Sequence, residues 1–266
     1  MNLRKIPRIY SIVMVYVAVM VVLNMPYQAN AVNKAYNRVA NRGTPIIDGD
    51  FSDRSWQTAD WQEMDVYAGG AQPDGFKAKS AVLWDDDFLY TAIEVEDEIH
   101  EVPKAVVTGT DTIWNGDSPQ HRVDLEYDSL SGSAQDIEWG YALQDGNILT
   151  NAWSSAPNID FEAVEIIRDD ENEKTYYEVA VVLRLHGTGE TLSEYIKENP
   201  EAMIGYSDMV NANDGGARLG WLEWSSGIGD SKNADQFGTL EFNHTLEAVS
   251  PAGKLASTWG SLKHSR

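Results

Sequence analysis

Nine short β-rich runs separated by turn residues fill the sequence from residue 80 to 242, and almost nothing in that span has helical spacing. They are 80–84, 88–96, 121–127, 137–143, 161–168, 175–185, 203–211, 219–224 and 237–242. In 88–96, Leu89, Thr91, Ile93 and Val95 alternate with Tyr90, Ala92, Glu94 and Glu96. In 121–127, Val123, Leu125 and Tyr127 alternate with Arg122, Asp124 and Glu126. A period of two with one apolar face marks a half-buried antiparallel strand. Ile137, Trp139, Tyr141 and Leu143 also share a face, and 161–185 reads as a hairpin turning at the polar segment 169–174. Thr191-Leu192-Ser193-Glu194 has capping-box spacing and Pro200 closes the segment, so one short helix is expected. This pattern predicts an all-β fold, an antiparallel jelly-roll β-sandwich over residues 45–243.

The ends differ from this body. Arg4, Lys5 and Arg8 precede an apolar run from Ile9 to Leu23, and Ala29-Asn30-Ala31 has the small-x-small form of a processing site. Residues 1–31 therefore read as a signal peptide, with a secreted or periplasmic protein and no membrane attachment after cleavage. Residues 32–44 read as a polar leader and 244–266 as a C-terminal tail without acidic residues beyond Glu247. Cleavage after Ala31 removes three basic residues and no acidic one, taking the formal charge from −22 to −25.

That charge argues against nucleic acid as a partner, because phosphate binding depends on Lys and Arg. The lack of Cys excludes disulfides, thiol catalysis and Cys-ligated zinc. The five His residues have no metal-ligand spacing, and no G-x-G-x-x-G or Walker sequence occurs, so neither haem nor a nucleotide is expected. Gly116-Asp117-Ser118 resembles an esterase nucleophile block, but the one Asp-x-x-His, Asp97 to His100, precedes the serine instead of following it. Asp48, Asp50 and Asp53 offer oxygen ligands for a structural calcium ion, or serve as turn residues. The aromatic content is the strongest chemical signal. Trp56, Trp61, Trp84, Trp139 and Trp221 fall on or beside strand patterns, where core packing explains them. Trp114 and Trp153 sit in loop-like contexts, where an indole can present a flat apolar face to a sugar ring.

Several segments, taken in order, resemble the family 9 carbohydrate-binding module. Pro45-Ile46-Ile47-Asp48-Gly49 followed by Trp56 is similar to its opening block. Ala81-Val82-Leu83-Trp84-Asp85, Phe88-Leu89-Tyr90 and Val95-Glu96-Asp97 resemble its first hairpin, and Trp114-Asn115-Gly116-Asp117-Ser118 with Val123-Asp124-Leu125 resembles its next block. Tyr177-Glu178-Val179-Ala180, Ile204-Gly205, Asn211, Arg218, Trp224 and Phe237-Gly238-Thr239-Leu240 follow. The resemblance implies a jelly-roll sandwich, often calcium-stabilised, in which two Trp clamp a terminal sugar. Trp114 looks like the first clamp, with Gln120, Asn211 and Arg218 similar to polar positions near the site. The loop 225–235, where the second clamp is expected, contains no aromatic, leaving Trp153 as the candidate helper.

The resulting expectation is a secreted, non-catalytic module that binds the ends of plant or microbial oligosaccharides or polysaccharides and serves carbohydrate catabolism. Two alternatives stand beside it: a glycoside hydrolase or other glycan-active enzyme on the same sandwich, and a structural or interaction protein with a degenerate sugar site.

Overall fold

A computed structural model of the chain describes residues 35–101, 110–132, 135–144, 146–153, 158–213, 218–229 and 232–246. The expected signal peptide and the tail beyond residue 246 lie outside these residues. Among the described residues thirteen strands are formed: β1 (Asn37–Arg42), β2 (Gln62–Met64), β3 (Val66–Gly69), β4 (Lys77–Trp84), β5 (Leu89–Glu96), β6 (Pro119–Asp124), β7 (Asp136–Gln144), β8 (Asn147–Ala152), β9 (Ile159–Asp169), β10 (Lys174–Leu183), β11 (Met203–Asn213), β12 (Arg218–Glu223) and β13 (Gly238–Leu246). Two helices accompany them, α1 (Arg54–Gln57) and α2 (Leu192–Glu198). Hydrogen-bonded neighbours run β8-β7-β6-β11-β13-β1-β4-β5-β10-β9, with β12 on β11 and β3, and β2 on β4.

Contacts between strands that are not neighbours in this order reveal a sandwich. His121 of β6 lies 3.3 Å from the Thr91 hydroxyl of β5, and Tyr141 of β7 meets the ring of Tyr177 of β10 edge-on. Val123, Ile137, Trp139 and Val210 share one buried apolar cluster with Ile93, Val95, Val179 and Val181. Burying such side chains stabilises each by roughly 1.5–3 kcal/mol. A second layer of packing covers the outer side of β4, β5 and β10, where Trp56 sits on Ala81, Ala92 and Ala180. Alanine at all three positions leaves room for the indole, and the buried carboxylate of Glu178 accepts a bond from Trp56 Nε1 as well as from the backbone N–H groups of Asp48 and Gly49. Gly49 has φ of 76°, and a Cβ there would lie 2.3 Å from Ile167.

The nine runs read from the sequence all become strands, and α2 carries the expected capping box. Thr191 Oγ1 accepts from the Glu194 backbone, and Glu194 Oε2 accepts from the Thr191 backbone. Three differences have physical causes. The segment expected to be a polar leader contains β1, which pairs in parallel with both β13 and β4 in the middle of the sheet. Its Arg38 is fully buried, so hydrophobic periodicity does not mark it. The guanidinium pairs with Asp208 at 3.0 Å, donates to Ser80 Oγ at 2.8 Å and lies 4.3 Å over the Trp224 ring. Strand β6 is buried on both faces, not one, and stops at Asp124, leaving Tyr127 beyond it with φ of 52°. Strands β2, β3 and β8 are short or mostly half-buried, and the alternation that identifies longer strands is missing from them.

Removing one partner of a buried pair leaves the other charge uncompensated, a loss of about 3–5 kcal/mol. Asp208→Ala is therefore expected to lower unfolding free energy by about that amount in urea titration. A loss below about 1 kcal/mol, the range of an exposed pair, would contradict the dry environment assigned to Arg38.

Candidate functional site

Trp114, Gln120, Trp153 and Arg218 come together at one cleft of about 450 Å³, which Arg122, Glu138, Gly229 and Lys232 complete. Its floor follows from strand geometry. Gln120 and Arg122 are two residues apart on β6 and so share a face, opposite the inward-pointing His121. Across the β6–β7 register, Gln120 pairs with Gly140 and Arg122 with Glu138. Gly140 lets an aromatic ring approach the sheet: a Cβ there would lie 3.1 Å from Cη2 and Cζ3 of Trp153 and 2.8 Å from the Pro119 carbonyl. The Trp153 backbone N–H donates to the Glu138 carbonyl at 2.9 Å, fixing the residue just after β8.

The other indole is carried by a 3-10 helix, Thr110–Asn115, and Trp114 is 37% exposed while Ile113 beside it is fully buried. Ser118 Oγ donates to the Ile113 carbonyl at 2.9 Å. Asp117 secures the same turn by accepting from the backbone N–H groups of Glu101 and Asn213. Asn211 is fully buried and does not line the cleft. Its Nδ2 donates to the Ser118 carbonyl and hydroxyl, both at 3.1 Å, and to Gln120 Oε1 at 3.4 Å. Its placement makes it a positioning residue for the Trp114 turn and for Gln120.

The loop expected to hold the second clamp aromatic supplies Gly229 and Lys232 instead. Glu223 Oε1 accepts from Trp221 Nε1 at 3.0 Å and from the Gly229 backbone at 2.7 Å, which draws the loop onto the Trp221 ring. A Cβ at Gly229 would lie 2.0 Å from Trp221 Cε2, so only glycine fits. The Arg218 guanidinium lies 4.1 Å over the same ring. Lys232 pairs with Glu138, and Arg122 pairs with Asp136 at 3.1 Å. Together the cleft offers two indole surfaces, one neutral amide, one carboxylate and three cations. Flat apolar faces combined with directional polar groups suit a ring-shaped polyol.

Arg122, Glu138 and Lys232 are absent from the residues singled out by sequence. Arg122 was within reach, since period two places it on the face of Gln120. Glu138 required the β6–β7 register, and Lys232 required the path of an irregular loop.

Asp48, Asp50 and Asp53 do not converge as a cation site. Asp48 Oδ1 accepts from the Asp50 backbone, Asp50 Oδ1 from that of Ser52, and Asp53 caps α1 through the Trp56 N–H while also accepting from the Ile46 N–H. No group of three or more His, Asp or Glu among the described residues is arranged to hold a metal ion. Asp50→Ala is expected to shift the melting temperature equally in calcium and in chelator; a shift seen only with calcium would restore a cation to this turn.

Burial raises the carboxyl of Asp117 to about 8, with the nearby Asp97 charge adding to the effect, and burial raises Glu223 to about 7. Both groups keep a proton in the folded chain that the unfolded chain releases near pH 4. Their contribution to stability is complete below that pH and is lost as pH rises through 7 and 8. His121 works oppositely, since burial lowers it to about 4 and stability is lost as pH falls below about 6.5. A melting temperature that declines between about pH 6.5 and 8.5, with a shallower decline in Asp117→Asn, is the expected result in a thermal scan across pH.

Comparison with known proteins adds a family. A model described as carbohydrate family 9 binding domain-like matches residues 47–245. Endo-1,4-beta-xylanase A of Thermotoga maritima is 28% identical over 203 residues, and its Thermotoga neapolitana counterpart is 27% identical. Each alignment covers 76% of this chain and 17% of the xylanase, so the chain spans about a sixth of those relatives. A family 9 carbohydrate-binding module from Caldicellulosiruptor kristjanssonii in complex with cellotriose superimposes with a TM-score of 0.61 at 18% identity, covering 81% of this chain and 98% of that one. The same description in complex with glucose gives 0.59 at 17% identity, covering 81% and 100%.

Proposed function

Because the chain belongs to the carbohydrate family 9 binding domain-like family, we propose that it is a secreted, non-catalytic module that holds the end of an oligosaccharide or polysaccharide in the cleft lined by Trp114 and Trp153. The observation that carries this reading is the convergence of two loop indoles, remote in sequence, on a cleft that also presents Gln120 and Arg218. The solved family 9 modules of similar fold are complexes with cellotriose and glucose, which makes a glucose-based ligand the first to try. The xylanase relatives are consistent with a role beside polysaccharide breakdown.

Binding is favoured over hydrolysis by the polar set. Glycoside hydrolysis usually employs two carboxylates across the scissile bond. Among the described residues lining the cleft, Glu138 is the one carboxylate, and its ion pair with Lys232 occupies it. A degenerate sugar site was suggested by the aromatic-free loop. Trp153 weakens that ground, because it brings a second indole from the end of β8.

Stacked aromatic contacts contribute about 0.5–1.5 kcal/mol beyond the area they bury. Trp114→Ala and Trp153→Ala are each expected to weaken cellotriose binding at least two- to tenfold in calorimetric titration, by that contribution alone. Failure of the intact protein to bind any sugar on a glycan array would end this reading; unchanged affinity in both variants would move the site elsewhere.

A further inference from the structure

Gln120 lies on the cleft floor between β11 and β7, where its register partners are Met209 and Gly140. Met209 offers only a thioether and Gly140 no side chain, so neither neighbour gives the amide a strong partner. Its Oε1 accepts from Asn211 Nδ2 at 3.4 Å, whereas Nε2 has no partner among the described residues and is not sealed from solvent. The nitrogen left over opens on the cleft that Gln120 lines.

What lies behind Asn211 fixes its own amide. Nδ2 donates to the Ser118 carbonyl and hydroxyl, both at 3.1 Å. The Ser118 hydroxyl directs its one hydrogen to the carbonyls of Ile113 at 2.9 Å and Gly116 at 3.1 Å. Turning the Asn211 amide over would therefore set its Oδ1 against two oxygens with no hydrogen to offer. In the orientation adopted, Oδ1 is buried without a hydrogen-bond partner. A buried orphan of this kind is destabilising and uncommon in native folds. The chain retains it while Nδ2 stays on Ser118 and Gln120. With Asn211 presenting a donor, a second donor from Gln120 would meet it head-on, so Gln120 is held with its oxygen inward.

We propose that Gln120 determines specificity as a fixed donor: a relay from the Ser118 carbonyl through Asn211 turns its Nε2 toward the ligand, and the sugar oxygen that meets it acts as an acceptor. This assignment rests on the reading of the cleft as a sugar site and names the polarity which that site demands. A ring, glycosidic or carbonyl oxygen satisfies it directly, and a hydroxyl does so while its hydrogen is bonded elsewhere. A group that only donates, such as an ammonium, is rejected, because two donors then face each other. Asn211 acts from behind the floor as a positioning residue, and its hold on the amide leaves less freedom to be lost when a ligand binds.

The test is calorimetric titration of the intact protein with cellotriose, or with the tightest-binding glycan of the array where that differs. Gln120→Glu keeps the size of the side chain and removes its hydrogens, and it is expected to weaken binding at least about threefold, and more than Gln120→Met does. Asn211→Leu frees the amide and also weakens binding, but that loss largely disappears in the Gln120→Met background, since the two residues act as a unit. Equal or tighter binding by Gln120→Glu overturns the donor assignment and leaves sugar recognition standing. An undiminished effect of Asn211→Leu in the Gln120→Met background overturns the relay and places the role of Asn211 in the Trp114 turn alone. If Asn211→Leu fails to fold, Gln120→Glu against Gln120→Met still decides the donor assignment. Binding of no glycan by the intact protein overturns both this inference and the sugar reading.

Discussion

A fully buried ion pair between Arg38 and Asp208 holds the middle of this sandwich together. It ties β1 to β11, and β1 is the strand that joins the β8-β7-β6-β11-β13 side of the sheet to the β4-β5-β10-β9 side. Burying two charges costs several kcal/mol per ion. Here their attraction is supplemented by the Ser80 hydroxyl, the Trp224 ring and the Tyr206 hydroxyl, which donates to Asp208 at 3.2 Å. The same network reaches β6, because His121 contacts Tyr206 through Nδ1 and stacks on Trp139 and Tyr141. The polar interior therefore fixes the rotation of the strand that forms the cleft floor. With His121 turned inward, pleating turns Gln120 and Arg122 to the other face.

The cleft combines this rigid floor with indoles held at its edge. Ring placement depends on small residues and on hydrogen bonds behind the rings. Gly140 admits Trp153, Asn211 and Asp117 anchor the turn that carries Trp114, and Gly229 with Glu223 sets the loop on Trp221. Preorganisation of this kind limits the entropy lost when a ligand binds, which matters for small interfaces with few contacts.

Much of the fold was legible because β-rich apolar runs announce strands even where, as in β5 and β7, both faces are buried and not the one that period two suggests. β4, β5, β7, β10 and β11 carry long apolar patterns, and the helix α2 is written in the Thr191 and Glu194 capping pair. β1 was not legible. Its central position depends on a buried arginine whose partner is 170 residues away, and a polar sequence of this kind looks like a leader. β6 was only half legible, since its alternation suggested one solvated face while that face is covered by the cleft and by the Arg122–Asp136 pair.

By itself, the sequence determined the sandwich class and the family pattern, and it singled out Trp114, Gln120, Trp153 and Arg218 as candidates, because residue type and local spacing encode strand faces and loop aromatics. Only the tertiary structure decided that Trp153 shares a cleft with Trp114, that Asn211 supports the site from behind, and that Arg122, Glu138 and Lys232 belong to it. Those outcomes depend on the register between β6 and β7, on the space left at Gly140 and Gly229, and on the path of the loop after Trp224. Each is a relation between segments distant in the chain, and no local pattern of residues specifies it.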